Sequence, residues 1–208
     1  MLFSDSGNRN LTLAITGASG SLFAREMLRA LDADKRVARV HLVISSSALR
    51  VLAEEAGING RNTLAEKLLG RSSAKIVQLA HEDIGAPIAS GSYPSDGMIV
   101  LPCSMGTLAG IAHGLAGNLI ERAADVCLKE RRPLVLCVRE TPLNLIHIRN
   151  MAAATEAGAT IFPMIPTFYN HPQTVEDIAR NYVHRVLQHI GLPQPGAFQW
   201  NPEAAATP

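Results

Sequence analysis

Short apolar runs recur along the chain, each broken by glycines or hydroxyl residues and then followed by a stretch of helical spacing. The first is LTLAITGASG at residues 11–20, a strand pattern that breaks at Thr16-Gly17, with a helix predicted over 21–31. Residues 38–45 (ARVHLVIS) read as a second strand, 48–55 as a short helix ended by 57–60, and 64–69 as a further helical piece. A short strand is expected at 75–79, then a turn-rich loop at 81–95 of the kind that often carries function. Residues 97–101 (GMIVL) are apolar throughout, as a parallel strand buried on both faces should be, and Pro102 is expected to stop it. Helices follow to about His113 and over 119–129, the second closed by Lys129-Glu130-Arg131-Arg132 and Pro133. Residues 134–138 are again a buried-strand pattern. A helix over 142–157 is expected to start at Pro142, a position proline tolerates. Residues 159–163 give a last short strand, 163–172 a proline-punctuated loop, and 175–190 a closing helix.

This alternation predicts an α/β fold: a three-layer sandwich around a mostly parallel, doubly wound sheet, flavodoxin- or Rossmann-like. The boundaries are a flexible polar N-terminus at 1–10, one domain over 11–192 and a C-terminal tail at 193–208, docked by Phe198 and Trp200.

Composition narrows the setting. Hydrophobic residues make up 47% of the 208 and charged residues 18%, an apolar balance that predicts contacts between subunits. A formal net charge of +1 leaves no broad basic field, so nucleic acid is not an expected partner and any anion site must be local. No run is long enough for a membrane span, and the start of the chain lacks the apolar core of a signal peptide. Cys103, Cys127 and Cys137 have no metal-ligand spacing and read as buried thiols in a reducing cytoplasm, and the seven histidines form no close ligand set.

Four polar clusters follow predicted strands: Gly17-Ala18-Ser19-Gly20, Ser45, the 104–107 segment and Arg139-Glu140. In a doubly wound sheet these loops converge on one crevice. Glycines permit the tight turn at 17–20, and N–H groups at a helix start lack partners within the helix. That segment therefore reads as an anion site, with a plain strand–helix turn as the competing reading. The second strand ends in serines and not in the acidic residue that holds a nicotinamide ribose. No tyrosine is followed four positions on by lysine, and neither GxSxG nor GxxxxGK[ST] occurs. Hydroxyls, glycines, one fixed cation and one carboxylate suit a phosphorylated planar ligand, and a flavin is the best physical fit.

Six segments together resemble the flavin prenyltransferase family: GASG at 17–20, IASGS at 88–92, PCSMGTLAGIA at 102–112, NLIERAADVCLKERRPLVL at 118–136, VRETPLNLIHIRNM at 138–151 and FYNHPQTVEDI at 168–178. The resemblance spans about 11–192, and the ordered set is far more specific than any one piece. It implies an FMN site at Gly17, Ala18, Ser19, Ser45, Ser104, Met105, Gly106, Thr107 and Arg139. It also implies that the phosphate of dimethylallyl monophosphate is held by Lys129, Arg139, Tyr169 and Arg185, some of them supplied across a subunit interface. The implied reaction is metal-independent and joins the prenyl carbons C1 and C3 to N5 and C6 of reduced FMN. Glu140 is expected to move protons, with Ser19 near N5 and Glu55 as a further active-site carboxylate. Prenylated FMN would go to a UbiD-like decarboxylase, and the enzyme would be a cytoplasmic homo-dodecamer.

Blander readings stand beside these. Glu140 could cap the 142–157 helix, Lys129 and Arg185 could be solvated helix faces, and Tyr169 could be core packing. Many relatives have a tyrosine where this chain has Phe23, and some have a tryptophan near Ile84-Gly85 that would stabilise allylic charge. Two alternatives remain: an FMN-dependent cysteine decarboxylase, which needs an early catalytic histidine that His41 and His81 do not match, and a non-enzymatic FMN-binding accessory subunit.

Overall fold

A computed structural model describes residues 7–199. Six strands, β1 (Arg9–Ile15), β2 (Val37–Ile44), β3 (Ile76–Leu79), β4 (Gly97–Cys103), β5 (Leu134–Val138) and β6 (Thr160–Ile161), form one sheet in the order β3-β2-β1-β4-β5-β6. Every paired neighbour is parallel. Seven helices complete the layers: α1 (Ser21–Ala33), α2 (Ser46–Ala56), α3 (Leu64–Leu69), α4 (Met105–Ala112), α5 (Leu119–Lys129), α6 (Leu145–Glu156) and α7 (Val175–His189). The chain winds outward through β2 and β3, returns to β4 beside β1, and then winds the other way. The order therefore reverses between β1 and β4, the point at whose carboxyl ends sheets of this kind bind their ligands.

Alternation along the strands separates two cores. Leu11, Leu13 and Ile15 of β1 pack with Met27, Leu28 and Leu31 of α1 and with Val183, Val186 and Leu187 of α7. Ala14, Val43, Val100 and Leu136 face the other way, onto Leu108 of α4 and Ile120, Ala123 and Ala124 of α5. All seven residues of β4 are buried, which explains its unbroken apolar run.

Several boundaries move from the expected ones. β1 starts at Arg9, inside the segment expected to be flexible, because the buried Arg9 guanidinium donates to the Ile190 carbonyl at 2.9 Å. Pro102 does not stop β4. The β4–β5 register shifts between Val100 and Cys103, and a proline fits at such an irregularity without leaving a ladder N–H unmade. α6 begins at Leu145 and not at Pro142, because Asn144 and His147 form a reciprocal capping box. β6 shrinks to two residues.

The start of the tail is docked: Arg36 donates to the Pro193 carbonyl, and Gln194 to the Asp34 carboxylate, both at 2.9 Å. Phe198 is partly exposed, and Trp200 lies outside the described residues. All three thiols are buried, and burial pushes Cys127 and Cys137 up to about 12 and Cys103 higher still, so none is a ready nucleophile. Among the described residues no helix is long and apolar enough to cross a membrane.

Candidate functional site

Two loops at the carboxyl edge of the sheet are stapled together by one side chain. Thr16, 1% exposed, donates its hydroxyl to the Pro102 carbonyl at 2.8 Å and accepts from the Ser104 N–H at 2.8 Å. The Ser45 N–H donates to Ile15 at 3.0 Å and the Arg139 N–H to Cys103 at 3.2 Å, so the ends of β2 and β5 are set against the same edge. Gly17, Ser45, Ser104 and Arg139 are thereby placed on adjacent loops, as the sequence predicts. Thr16 itself was not foreseen, since a threonine closing a strand carries no distinctive local signal.

Both loop serines cap helices. The Ser45 hydroxyl accepts from the Ala48 N–H at 3.2 Å and the Ser104 hydroxyl from the Thr107 N–H at 3.3 Å. The Ser104 and Thr107 hydroxyls lie 3.1 Å apart. Next to them Gly106 is open, with no atom within 4 Å of where a Cβ would stand. Gly17 is the opposite case: a Cβ there would collide with Ser47, so the bare backbone is needed for β1 to pass the mouth of α2.

The α1 anion site is present, and the protein fills it itself. Gly20, at φ 130°, gives α1 no side-chain cap. Glu55, near the end of α2, supplies one: its carboxylate accepts from the Gly20 N–H at 3.1 Å, the Ser21 N–H at 2.8 Å and the Ser21 hydroxyl at 2.7 Å. The expectation that these amides await a bound phosphate is corrected, because a carboxylate from another helix already takes them. Ser19 stands close enough to Glu55 to help lower its carboxyl. Burial raises the Glu55 carboxyl, but the bonds from Ser19, Ser21 and Gly20 outweigh it and hold it below its ordinary value.

A carboxyl lowered on folding contributes stability above its unfolded pKa of 4.5 and loses it as pH falls through the folded value. Glu55→Ala is accordingly expected to cost about 1 kcal/mol near neutral pH, as loss of a helix cap does. The gap between wild type and variant should close in thermal melts taken below pH 4.5. A gap independent of pH would show that the carboxylate charge is not what matters.

Arg139 and Glu140 lie exposed beyond β5. Glu140 accepts from the Thr141 N–H at 3.0 Å and does not cap α6, whose start is closed by Asn144 and His147. Phe23 packs its ring edge-on against Tyr182 at 5.5 Å, a contact between α1 and α7 in which a phenol hydroxyl is not used. Ile84, at the position where some relatives carry tryptophan, is 60% exposed.

The four residues expected to hold the donor phosphate do not meet within one chain. Tyr169 and Arg185 line one recess of about 550 Å³, with Asn170, Asn181, His184 and Phe198. The Arg185 guanidinium donates to Gln188 at 3.0 Å. Lys129 ends α5, on the opposite face of the sheet from α7 and at the amino end of β5. Arg139 stands at the other end of that five-residue strand, about 16 Å away along it.

Around Lys129 the sequence reading missed a cluster. Arg122 Nε donates to the Ala89 carbonyl at 3.0 Å and Arg132 Nη2 to the Gly91 carbonyl at 2.6 Å, while the Ser90 and Ser92 hydroxyls lie 2.9 Å apart. The turn-rich character of 81–95 marks the loop, but nothing local pairs it with α5. His41 is buried, with Nε2 3.2 Å from the Tyr93 hydroxyl, so it is packed away from the crevice.

Comparison with known proteins gives a consistent result. A profile of the Flavoprotein family matches residues 3–187. The chain is 45% identical over 190 residues to the flavin prenyltransferase UbiX of Salmonella typhimurium, covering 90% of this chain and 94% of that protein. Among solved structures it is similar to AnUbiX (PadA1) in complex with FMN and dimethylallyl pyrophosphate, with TM-score 0.84, 41% identity and coverage of 93% of this chain and 98% of that one. It is also similar to a dodecameric FMN-dependent Ubix-like decarboxylase from Escherichia coli O157:H7, with TM-score 0.82, 43% identity and coverage of 92% and 99%.

Proposed function

Since the chain belongs to the flavin prenyltransferase family, we propose that it joins the dimethylallyl group of dimethylallyl monophosphate to reduced FMN at N5 and C6, releasing phosphate. The observation that carries this reading is the crevice itself. Thr16 ties the end of β1 to the loop after β4, backbone bonds set the ends of β2 and β5 against them, and Gly106 leaves open space at the mouth of α4. FMN fits that edge, with Gly17, Ala18, Ser19, Ser45, Ser104, Met105, Gly106, Thr107 and Arg139 as its contacts. When bound, the reduced flavin supplies the two nucleophilic atoms, and the remaining work falls to side chains.

Arg139, Lys129, Arg185 and Tyr169 hold the donor's phosphate and stabilise the charge it gathers as the C1–O bond breaks. Glu140 is assigned the proton movements the transfer would need: one off N5, one onto the alkene C2 and one off C6. The released phosphate is the second group able to carry a proton. Ser19, beside Glu55, is assigned to the N5 end of the flavin.

Lys129 and Arg185 on opposite faces of the sheet favour sites shared between subunits. Exposed Leu143, Leu145, Ile146 and Ile148 around the start of α6 are the kind of apolar surface such contacts cover. A cytoplasmic homo-dodecamer delivering prenylated FMN to a UbiD-like decarboxylase completes the reading. The test is anaerobic incubation of the flavin-loaded protein with reduced FMN and dimethylallyl monophosphate, followed by mass analysis of the flavin. A gain of one five-carbon prenyl unit is expected. Unchanged FMN with folded, flavin-loaded protein would refute it.

A further inference from the structure

Lys129 and Glu130 form an ion pair that lies on the loop before β4. The ammonium donates to the Glu130 carboxylate, and a Cβ on Gly91 would run into both groups, so the pair rests directly on bare backbone. The same loop is gripped by Arg122 at Ala89 and by Arg132 at Gly91. Arg122 has its own carboxylate, Asp125, at 2.6 Å. Arg132 Nη1 is buried without a hydrogen-bond partner among the described residues. Two cations of this cluster are thus neutralised in advance by acids of their own chain, and a third keeps one nitrogen unmatched.

We propose that Glu130 is a resident counter-ion that competes with phosphate for Lys129, holding the ammonium in place before the donor binds and helping inorganic phosphate to leave after transfer. This rests on the assignment of Lys129 to the donor phosphate. The competition follows from charge and tethering. A lysine stem is flexible, and pairing with Glu130 parks its head over Gly91, so an arriving phosphate must draw the ammonium off its carboxylate. A phosphate dianion attracts the ammonium more strongly than one carboxylate does, so the donor displaces Glu130. Arg132 stands close enough to help lower the Glu130 carboxyl, after the larger effect of Lys129, and offers it a second partner once displaced. After transfer, phosphate has lost the prenyl group whose burial helped to recruit it. Glu130, still covalently beside Lys129, then retakes the ammonium.

The experiment uses the intact oligomer with Glu130→Gln, Glu130→Asp and Lys129→Met, measuring donor KM, kcat and the inhibition constant of inorganic phosphate. Glu130→Gln should tighten phosphate inhibition and lower the donor KM by about threefold to fivefold, as expected for an exposed charge pair, with no gain in kcat. Glu130→Asp should restore values near wild type, and the difference should shrink in high salt. Unchanged phosphate inhibition in Glu130→Gln, or a raised donor KM, overturns the proposal while Lys129→Met still weakens donor use. If Lys129→Met alters neither the donor KM nor phosphate inhibition, the assignment of Lys129 itself fails.

Discussion

Glu140→Gln is expected to keep FMN bound while adduct formation slows by about a hundredfold, at the low end for a positioned acid–base group. The amide keeps the shape and can still accept from the Thr141 N–H, so the loop after β5 should hold. Loss of a helix cap cannot explain the effect, because α6 is closed by Asn144 and His147. Flavin absorbance reports loading, and mass analysis after timed quenching reports the adduct. A rate near wild type would remove Glu140 from proton transfer and leave it as a loop residue.

Mixing two inactive variants should bring activity back. Lys129→Ala and Arg185→Ala each remove one cation proposed to hold the phosphate, and in the fold these stand on opposite faces of the sheet. If one site draws Lys129 and Arg185 from different chains, random co-assembly leaves about a quarter of sites with both intact. Co-expressed variants should then recover about a quarter of wild-type turnover, whereas either alone stays at background. Separate preparations mixed without subunit exchange should recover nothing. Absence of recovery in verified hetero-oligomers would mean that both residues serve the site from the same chain.

The elements of the fold were readable because buried parallel strands leave continuous apolar runs, as in the segment 97–101, and because Gly-Ala-Ser-Gly marks where a strand hands over to a helix. Terminations were less readable. Pro102 looked like a stop because the register irregularity that admits it depends on β5, a strand more than thirty residues away in sequence. Pro142 looked like a helix start because proline suits that position, but the Asn144–His147 capping box decides it. The crevice residues Gly17, Ser45, Ser104 and Arg139 could be placed together since each follows a strand. The bonds that fix them, from the Ser104 N–H to Thr16 and from the Gly20 N–H to Glu55, join segments whose proximity only the fold creates. The wide separation of Lys129 from Arg185 was likewise invisible, since spacing along a chain does not say which face of a sheet a helix will cover.

The carboxylate lodged at the start of α1 gives the crevice a direction. A mononucleotide has an anionic end and a flat aromatic end, and Glu55 makes one corner of the opening hostile to the first. The start of α2 also meets a carboxylate, since the Ser46 hydroxyl donates to Glu82 at 3.3 Å, whereas the mouth of α4 behind Ser104 carries none among the described hydrogen bonds. A flavin bound at this edge as proposed would be sorted by polarity before any contact with its ring is made, its phosphate drawn toward α4 and away from Glu55. A single glutamate thus acts as a compass for the ligand, and its removal should blur which way round a flavin lies.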